Sequence, residues 1–320
     1  TAWNTEDLSH ELLKNPMFDI KKKYKSIFKE ADREDLWDKY REILFSDLDH
    51  GKQMANQFYS EHEEEMLEGA EVLWEEHKNY KELVDIRLER GTRAFNLSYQ
   101  NEAQSEETAV FHEEWIEECK DENRRLLHSF HQPTFDIAIK IKTQGIDLAV
   151  SEQDSADDTA IITLGKTQDK FIILNWVRGK FSPANTRKNI IGQYERFDPD
   201  LIFVEDNSYQ ASLQKDMADY TTLPIRGYTT GGEKFDEYIG INSLAVLVEN
   251  GQLIIPADPR DPRTAEFYQV IKEEMLAFPS GHTGDSLMAL WFAYTAMRSL
   301  KGNTPQRVQT NKLRKGVQLG

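Results

Sequence analysis

The chain has 320 residues, with 56 acidic and 39 basic side chains, a formal net charge of −17 and a pI near 5.0. That length accommodates two domains of ordinary size. The charge argues against a protein held on nucleic acid by bulk electrostatics, which would read as basic. A single cysteine, Cys119, excludes an internal disulfide. The opening "TAWNTEDLSHELL" has no basic stretch followed by an apolar one, so no signal peptide is read there. The longest apolar stretch, residues 286–297, is too short to span a bilayer.

In chain order, "DLWDKYREILFSDL" and "GKQMANQFYSEHEEEMLEGAEVLWEEH" place large apolar residues at three- and four-residue intervals with charge between them. This spacing predicts a mainly helical region over residues 1–130, its glutamate-rich run being a solvated helix face. "SEETAVFHEEWIEE" predicts a short strand or loop entering a further helix. From about residue 134 the pattern changes. "FDIAIKI", "GIDLAV", "TAIITLG" and "KFIILNWVRG" predict four strands in quick succession. "SPANTRKNIIGQYERF" predicts a helix with Ser182 as N-cap and Pro183 at its first position. Next come the strand "DPDLIFVED", the helix "SYQASLQKDMADY", the strand "LPIRGY" and the glycine-containing loop "TTGGEKFDEY". The helix "IGINSLAVLVENG" and the strand "QLIIP" precede two closing helices, "DPRTAEFYQVIKEEMLAF" and "GDSLMALWFAYTAMRSL". Antiparallel strands followed by alternating helix and strand predict an α/β fold, a mixed sheet with helices on both faces, over residues 131–303. Residues 304–320 form a polar, basic tail whose composition reads as disorder.

Three acids stand out. Asp147 is set in the apolar run "GIDLAV", where burying a carboxylate is costly unless it is paired or holds a metal. Glu205 and Asp206 end the strand "LIFVED". Asp285 opens the last helix, where an acid complements the helix dipole. The carboxyl ends of neighbouring strands in an α/β sheet share one crevice. If the Asp147 and Glu205 strands are neighbours and the last helix packs over them, three carboxylates converge. Unaided, they would not all stay ionised. All-oxygen ligands suit Mg²⁺ or Mn²⁺, and two such ions about 4 Å apart are a common device for phosphodiester hydrolysis. Glu152, Asp154, Asp157 and Asp158 crowd a turn, where short acids bond to the backbone. Arg178, Lys180, Arg187 and Lys188 cluster around the strand ending in "WVRGK" and the helix after it. They are candidates for DNA backbone contacts or a solvated surface.

The succession "GIDLAVSEQDSADDTAIITLG", "LIFVEDNSYQ", "GEKFDEYIGINSLAVLVENGQLIIP", "GHTGDSLMALWFA" resembles the C-terminal nuclease domain of the large terminase subunit of tailed bacteriophages. Upstream, "EVLWEEHKNYKELVDIRLERGTRAFNLSYQNEAQ" is similar to the stretch linking the packaging ATPase to that nuclease, so the resemblance covers roughly residues 30 to 300. It implies a ribonuclease H-like fold and a metal-dependent endonuclease that cuts concatemeric double-stranded DNA during genome packaging in the cytoplasm of an infected host. It makes Asp147, Glu205 and Asp285 the catalytic, metal-holding acids, with Asp206 an adjacent ligand candidate and Asp158 an outer one. Lys234 and His282 are implied as residues near the scissile phosphate. The family's third motif often carries two consecutive acids, whereas "HTGD" here supplies Asp285 alone. Portal, small terminase subunit and packaging ATPase domain are the implied partners, with no membrane. No G-x-x-x-x-G-K-[ST] phosphate loop is present, so this chain is expected to lack ATP binding and to begin after the ATPase core. Two other readings fit the same residues: a junction resolvase or transposase of the same fold, and a non-catalytic docking module of the packaging motor.

Overall fold

A computed structural model describes residues 17, 24–102, 109–127, 138–148, 158–205, 223–228, 240–279 and 284–300. The first part is built from β1 (Ile27–Lys29), α1 (Glu34–Ser46), α2 (Gly51–Met66), β2 (Glu71–Val72), α3 (Tyr80–Arg90), α4 (Thr92–Tyr99) and α5 (Glu113–Glu118). Helices dominate it as expected, but β1 and β2 pair antiparallel, an element the helical periodicity does not announce. Its core is small and aromatic: Tyr80, Leu83, Val84 and Phe95 on one side, Tyr40, Ala55 and Met66 on the other. Trp37 donates its indole N–H to the Met66 carbonyl at 2.8 Å.

The remaining strands are β3 (Lys120–Asp121), β4 (Ile141–Asp147), β5 (Thr159–Lys166), β6 (Phe171–Gly179), β7 (Leu201–Glu205), β8 (Ile225–Tyr228) and β9 (Leu253–Pro256). They form a seven-stranded mixed sheet in the order β3-β9-β6-β5-β4-β7-β8. Within it β4, β5 and β6 make an antiparallel meander, β7 adds parallel to β4, and β8 adds parallel to β7. Five strands ordered third-second-first-fourth-fifth, with only the second reversed, constitute the ribonuclease H-like arrangement. The helices are α6 (Pro183–Phe197), α7 (Asn242–Glu249), α8 (Pro262–Ala277) and α9 (Asp285–Leu300). Ile190 and Phe197 of α6 cover one face, while α7, α8 and α9 bury the other in the main core. Ser182 caps α6 by accepting from the Asn185 amide, with Pro183 at its first position, as predicted.

The strand predicted as "GIDLAV" begins earlier, at Ile141, whereas residues 135–137 of "FDIAIKI" lie outside the described residues and 138–140 are not strand. β4 runs straight through Thr143, Gln144 and Gly145, a sequence that reads as a turn. The polar side chains are instead buried and bonded inside: Thr143 Oγ1 donates to the Ala293 carbonyl at 2.7 Å, and Gln144 Nε2 donates to Thr163 Oγ1 at 3.1 Å, although Gln144 Oε1 meets no donor among the described residues. Asp147 is consequently the last residue of its strand and only partly buried, which answers why the strand tolerates it. Val110, Phe111, Ile116, Cys119 and Leu126 join the core of the seven-stranded sheet, and β3 pairs parallel with β9 at its edge. Among the described residues no helix is long and apolar enough to cross a membrane.

The last helix is more deeply placed than a one-sided stripe implies. Leu287, Ala289, Leu290, Trp291, Phe292 and Ala293 are all fully buried. A helix that is apolar all round belongs in an interior, and α9 lies directly on β4. Gly145 makes that approach possible: a Cβ there would stand 1.9 Å from the Ala289 carbonyl oxygen and 2.3 Å from the Ala293 nitrogen.

Candidate functional site

β4 and β7 run parallel in register, with Ile146 opposite Val204 as the last registered pair, and each strand then ends in an acid, Asp147 and Glu205. Adjacent strands lie about 4.8 Å apart. Alternation settles which face the acids take. Ile146, Ile202 and Val204 pack on the α6 side, whereas Leu201 and Phe203 pack with α9. Asp147 and Glu205 therefore turn to the α9 side.

The third acid follows from the same stacking. Thr143 meets Ala293 and Gly145 meets Ala289, so two residues along β4 match four along α9, running in opposite directions. Two strand residues span about 6.6 Å and four helical residues about 6 Å. One more step brings Asp147 level with Asp285, the first residue of α9. On that spacing the three elements, up to 138 positions apart, end or begin toward the same edge of the sheet.

Asp285 is engaged there. Its Oδ2 accepts the Asp158 backbone N–H at 3.1 Å and lies 3.6 Å from Arg178 Nη2. The same guanidinium donates from Nε to Asp158 Oδ2 at 2.8 Å and from Nη1 to Glu274 Oε1 at 3.1 Å. Arg178 was a candidate for a DNA contact; here it is a hub among three carboxylates. A bulge aims it. Thr163 pairs with Asn175 but Leu164 with Ile173, leaving Leu174 as the extra residue of β6. Before the bulge Phe171 and Ile173 face the main core, and after it Trp176 does, so Arg178 points the same way. Trp176 Nε1 also donates to Ser286 Oγ at 3.1 Å, fixing the first turn of α9 to β6.

Glu274 on α8 is the participant that the sequence does not single out. It adjoins the equally acidic Glu273, and only the packed structure shows which of the two turns inward. Its Oε2 accepts the Leu287 N–H at 2.7 Å, satisfying one of the donors that a helix start leaves open. A Cβ on Gly284 would lie 2.1 Å from its Cδ, so glycine keeps that path clear. Burial pushes the Glu274 carboxyl up to about 7, with Asp285 adding to the rise while the Leu287 amide and Arg178 oppose it. A carboxyl raised in the fold binds its proton more tightly there than in the unfolded chain. Its contribution is fully present below about pH 4.5 and lost as pH rises through about 7. Replacing Glu274 by Gln should flatten the decline in metal-free stability between pH 5 and pH 8, by at most on the order of 3 kcal/mol. Urea midpoints at both pH values check this, and parallel pH profiles for parent and variant would refute it.

Asp206, Lys234 and His282, together with the turn acids Glu152, Asp154 and Asp157, lie outside the described residues. Asp158 is described and faces Arg178 and Asp285. Among the described residues no three His, Cys, Asp or Glu side chains are arranged to hold a metal ion. The chemistry of the acidic edge nevertheless fits Mg²⁺ or Mn²⁺: its donors are all carboxylate oxygens, and two of them end adjacent strands.

The strand order defines a ribonuclease H-like fold, and Asp147 and Glu205 stand at the carboxyl ends of its first and fourth core strands. Solved structures to which the chain is similar include large terminase nuclease domains from phages and from cytomegalovirus, at low sequence identity. One is the large terminase nuclease from thermophilic phage G20c with bound magnesium: 16% identity, 59% of this chain, 97% of that chain, TM-score 0.43. Another is the human cytomegalovirus terminase nuclease domain, soaked with manganese: 14% identity, 57% of this chain, 93% of that chain, TM-score 0.38. The HK97 bacteriophage large terminase aligns over 64% of this chain but only 47% of its own, at 13% identity and TM-score 0.40. The fold assignment rests on strand order and register, not on these scores. No family model and no curated protein matches the sequence.

Proposed function

We propose that the chain is a divalent-metal-dependent endonuclease that cuts concatemeric double-stranded viral DNA during genome packaging, with low sequence specificity. The observation that supports this most is the placement of Asp147 and Glu205 at the ends of adjacent parallel strands, with Asp285 opening the helix that packs on the first of them. Mg²⁺ or Mn²⁺ held there would supply water activation and relief of charge on the phosphate.

The protein's own groups have distinct tasks. Asp147 and Glu205 provide oxygens from rigid strand ends, and Asp285 supplies a third from α9. The Asp158 amide fixes the Asp285 carboxylate, and Arg178 balances its charge before a cation arrives. Cutting should leave 5′-phosphate and 3′-hydroxyl ends. The DNA duplex, the packaging ATPase domain, the portal and the small terminase subunit are the proposed partners, met in the host cytoplasm.

The deciding experiment is incubation of supercoiled plasmid with the purified chain and millimolar Mn²⁺. We expect nicked and linear products, cutting that stops in EDTA, and a rise in melting temperature with Mn²⁺. An intact plasmid together with an unmoved melting temperature would instead favour a non-catalytic docking module.

A further inference from the structure

Next to the acidic edge, between α6, α8 and the outer rim of β6, lies a second cavity of about 480 Å³. It exists because β6 pairs with β9 only at Phe171 and Ile172, so the later half of that rim has no strand beside it among the described residues. Arg263 of α8 covers part of the gap, donating from Nη2 to the Trp176 carbonyl at 2.7 Å and to Asn175 Oδ1 at 2.9 Å. On the opposite wall, Arg196 of α6 lies over the Phe197 ring, 4.8 Å from its centroid. Its Nε and Nη2 are buried and have no hydrogen-bond acceptor among the described residues.

Buried donors without acceptors are costly, and charged ones more so, which is why folded proteins rarely retain them without a ligand or water. Gln193, one turn earlier on α6, cannot help, since its Oε1 accepts from Asn175 Nδ2. Of the cavity's two carboxylates, Asp158 is held by Arg178, and Glu266 makes no hydrogen bond to Arg196 Nε or Nη2. Arg196 is left as the cation in want of a counter-charge. Burial, with Arg263 beside it, pushes its guanidinium down to about 10, still protonated at neutral pH. A planar fork of donors facing another guanidinium across a cavity matches the several oxygens of a phosphate group.

We propose that Arg196, supported by Arg263, forms a phosphate-binding subsite that takes a backbone phosphate of the DNA. This rests on the nuclease reading above. The cavity shares Asp158 and Arg178 with the acidic edge, so a duplex laid across that edge continues over its mouth. A chain of net charge −17 also needs such a local positive contact to hold DNA at all.

The test compares the parent with Arg196→Gln and Arg196→Lys in three measurements on the full chain: plasmid cleavage with Mn²⁺, binding of a labelled duplex in EDTA across a salt series, and melting with added inorganic phosphate. For Arg196→Gln we expect KM to rise about tenfold with a much smaller change in kcat. The slope of log affinity against log salt should flatten by about 0.9, the value of one lost phosphate contact on B-DNA. Arg196→Lys keeps the charge and should restore most of the affinity. Parent-like KM and salt slope in Arg196→Gln would overturn the subsite. So would equal failure of the Lys and Gln variants, which would make Arg196 a packing residue. Stabilisation by inorganic phosphate that vanishes in Arg196→Gln, with duplex affinity unchanged, would identify a small free anion as the occupant and overturn the DNA version. If the parent binds duplex with the expected Arg196 dependence but never cuts, the nuclease reading fails while the subsite stands.

Discussion

Asp147→Asn and Glu205→Gln should each lower the rate of plasmid cleavage with Mn²⁺ by about 10³-fold, the scale of losing a preorganised electrostatic contact to the reacting centre. Both residues sit at strand ends and are partly exposed. Their amide variants should therefore fold, with metal-free stability altered by about 1 kcal/mol or less. The rise in melting temperature with Mn²⁺ should shrink in parallel with the activity. Asp285→Asn should behave differently. It removes the carboxylate that accepts the Asp158 amide and faces Arg178, leaving a half-buried guanidinium shared by two acids instead of three. That variant should lose cutting and also roughly 1–3 kcal/mol of stability. Should all three variants cut at the parental rate, the acidic edge is not the catalytic centre. Cleavage rates measured beside denaturation in EDTA separate the two effects.

Gly145→Ala should be severely damaging. The added carbon would sit 1.9 Å from a backbone oxygen and 2.3 Å from a backbone nitrogen of α9. Neither atom belongs to a flexible side chain, so relief requires the whole helix to lift from β4. Overpacking typically costs about 1–3 kcal/mol, and a backbone clash this close should fall at about 3 kcal/mol, the upper end of that range. Lifting α9 would also carry Asp285 away from Asp147, so any folded fraction should cut poorly even with excess Mn²⁺. Gly192, in the middle of α6, supplies the contrast, because a Cβ there would meet nothing within 4 Å. Gly192→Ala should raise stability by about 0.5–1 kcal/mol through helix propensity alone. Chemical denaturation of the two alanine variants checks both signs, and a Gly145→Ala protein as stable as the parent would contradict the close helix–strand contact.

The strand pattern was readable in proportion to its apolar character. "TAIITLG", "KFIILNWVRG" and "QLIIP" are apolar runs bounded by turn residues, and each is a strand in the structure. "IKTQGID" does not read as one strand, because Thr143 and Gln144 look like turn formers. Their hydrogen bonds to Ala293 and Thr163 come from elements 150 and 19 positions away. The tight helix contact at Gly145 escaped notice for the same reason, since a glycine in a strand does not announce what presses against it.

What the sequence determined by itself was the list of parts: an α/β succession, an acid at the end of each of two strands and an acid at the start of the last helix. Those features are local, set by alternation, helix periodicity and capping chemistry that act within a few residues. The tertiary structure alone decided the partners. The parallel register of β4 and β7 sets Asp147 beside Glu205, and the bulge at Leu174 turns Arg178 toward Asp158, Glu274 and Asp285. The unpaired rim of β6 leaves Arg196 facing a cavity. Each depends on contacts between segments tens of residues apart, where burial and backbone hydrogen bonding choose among arrangements that local preferences leave equal.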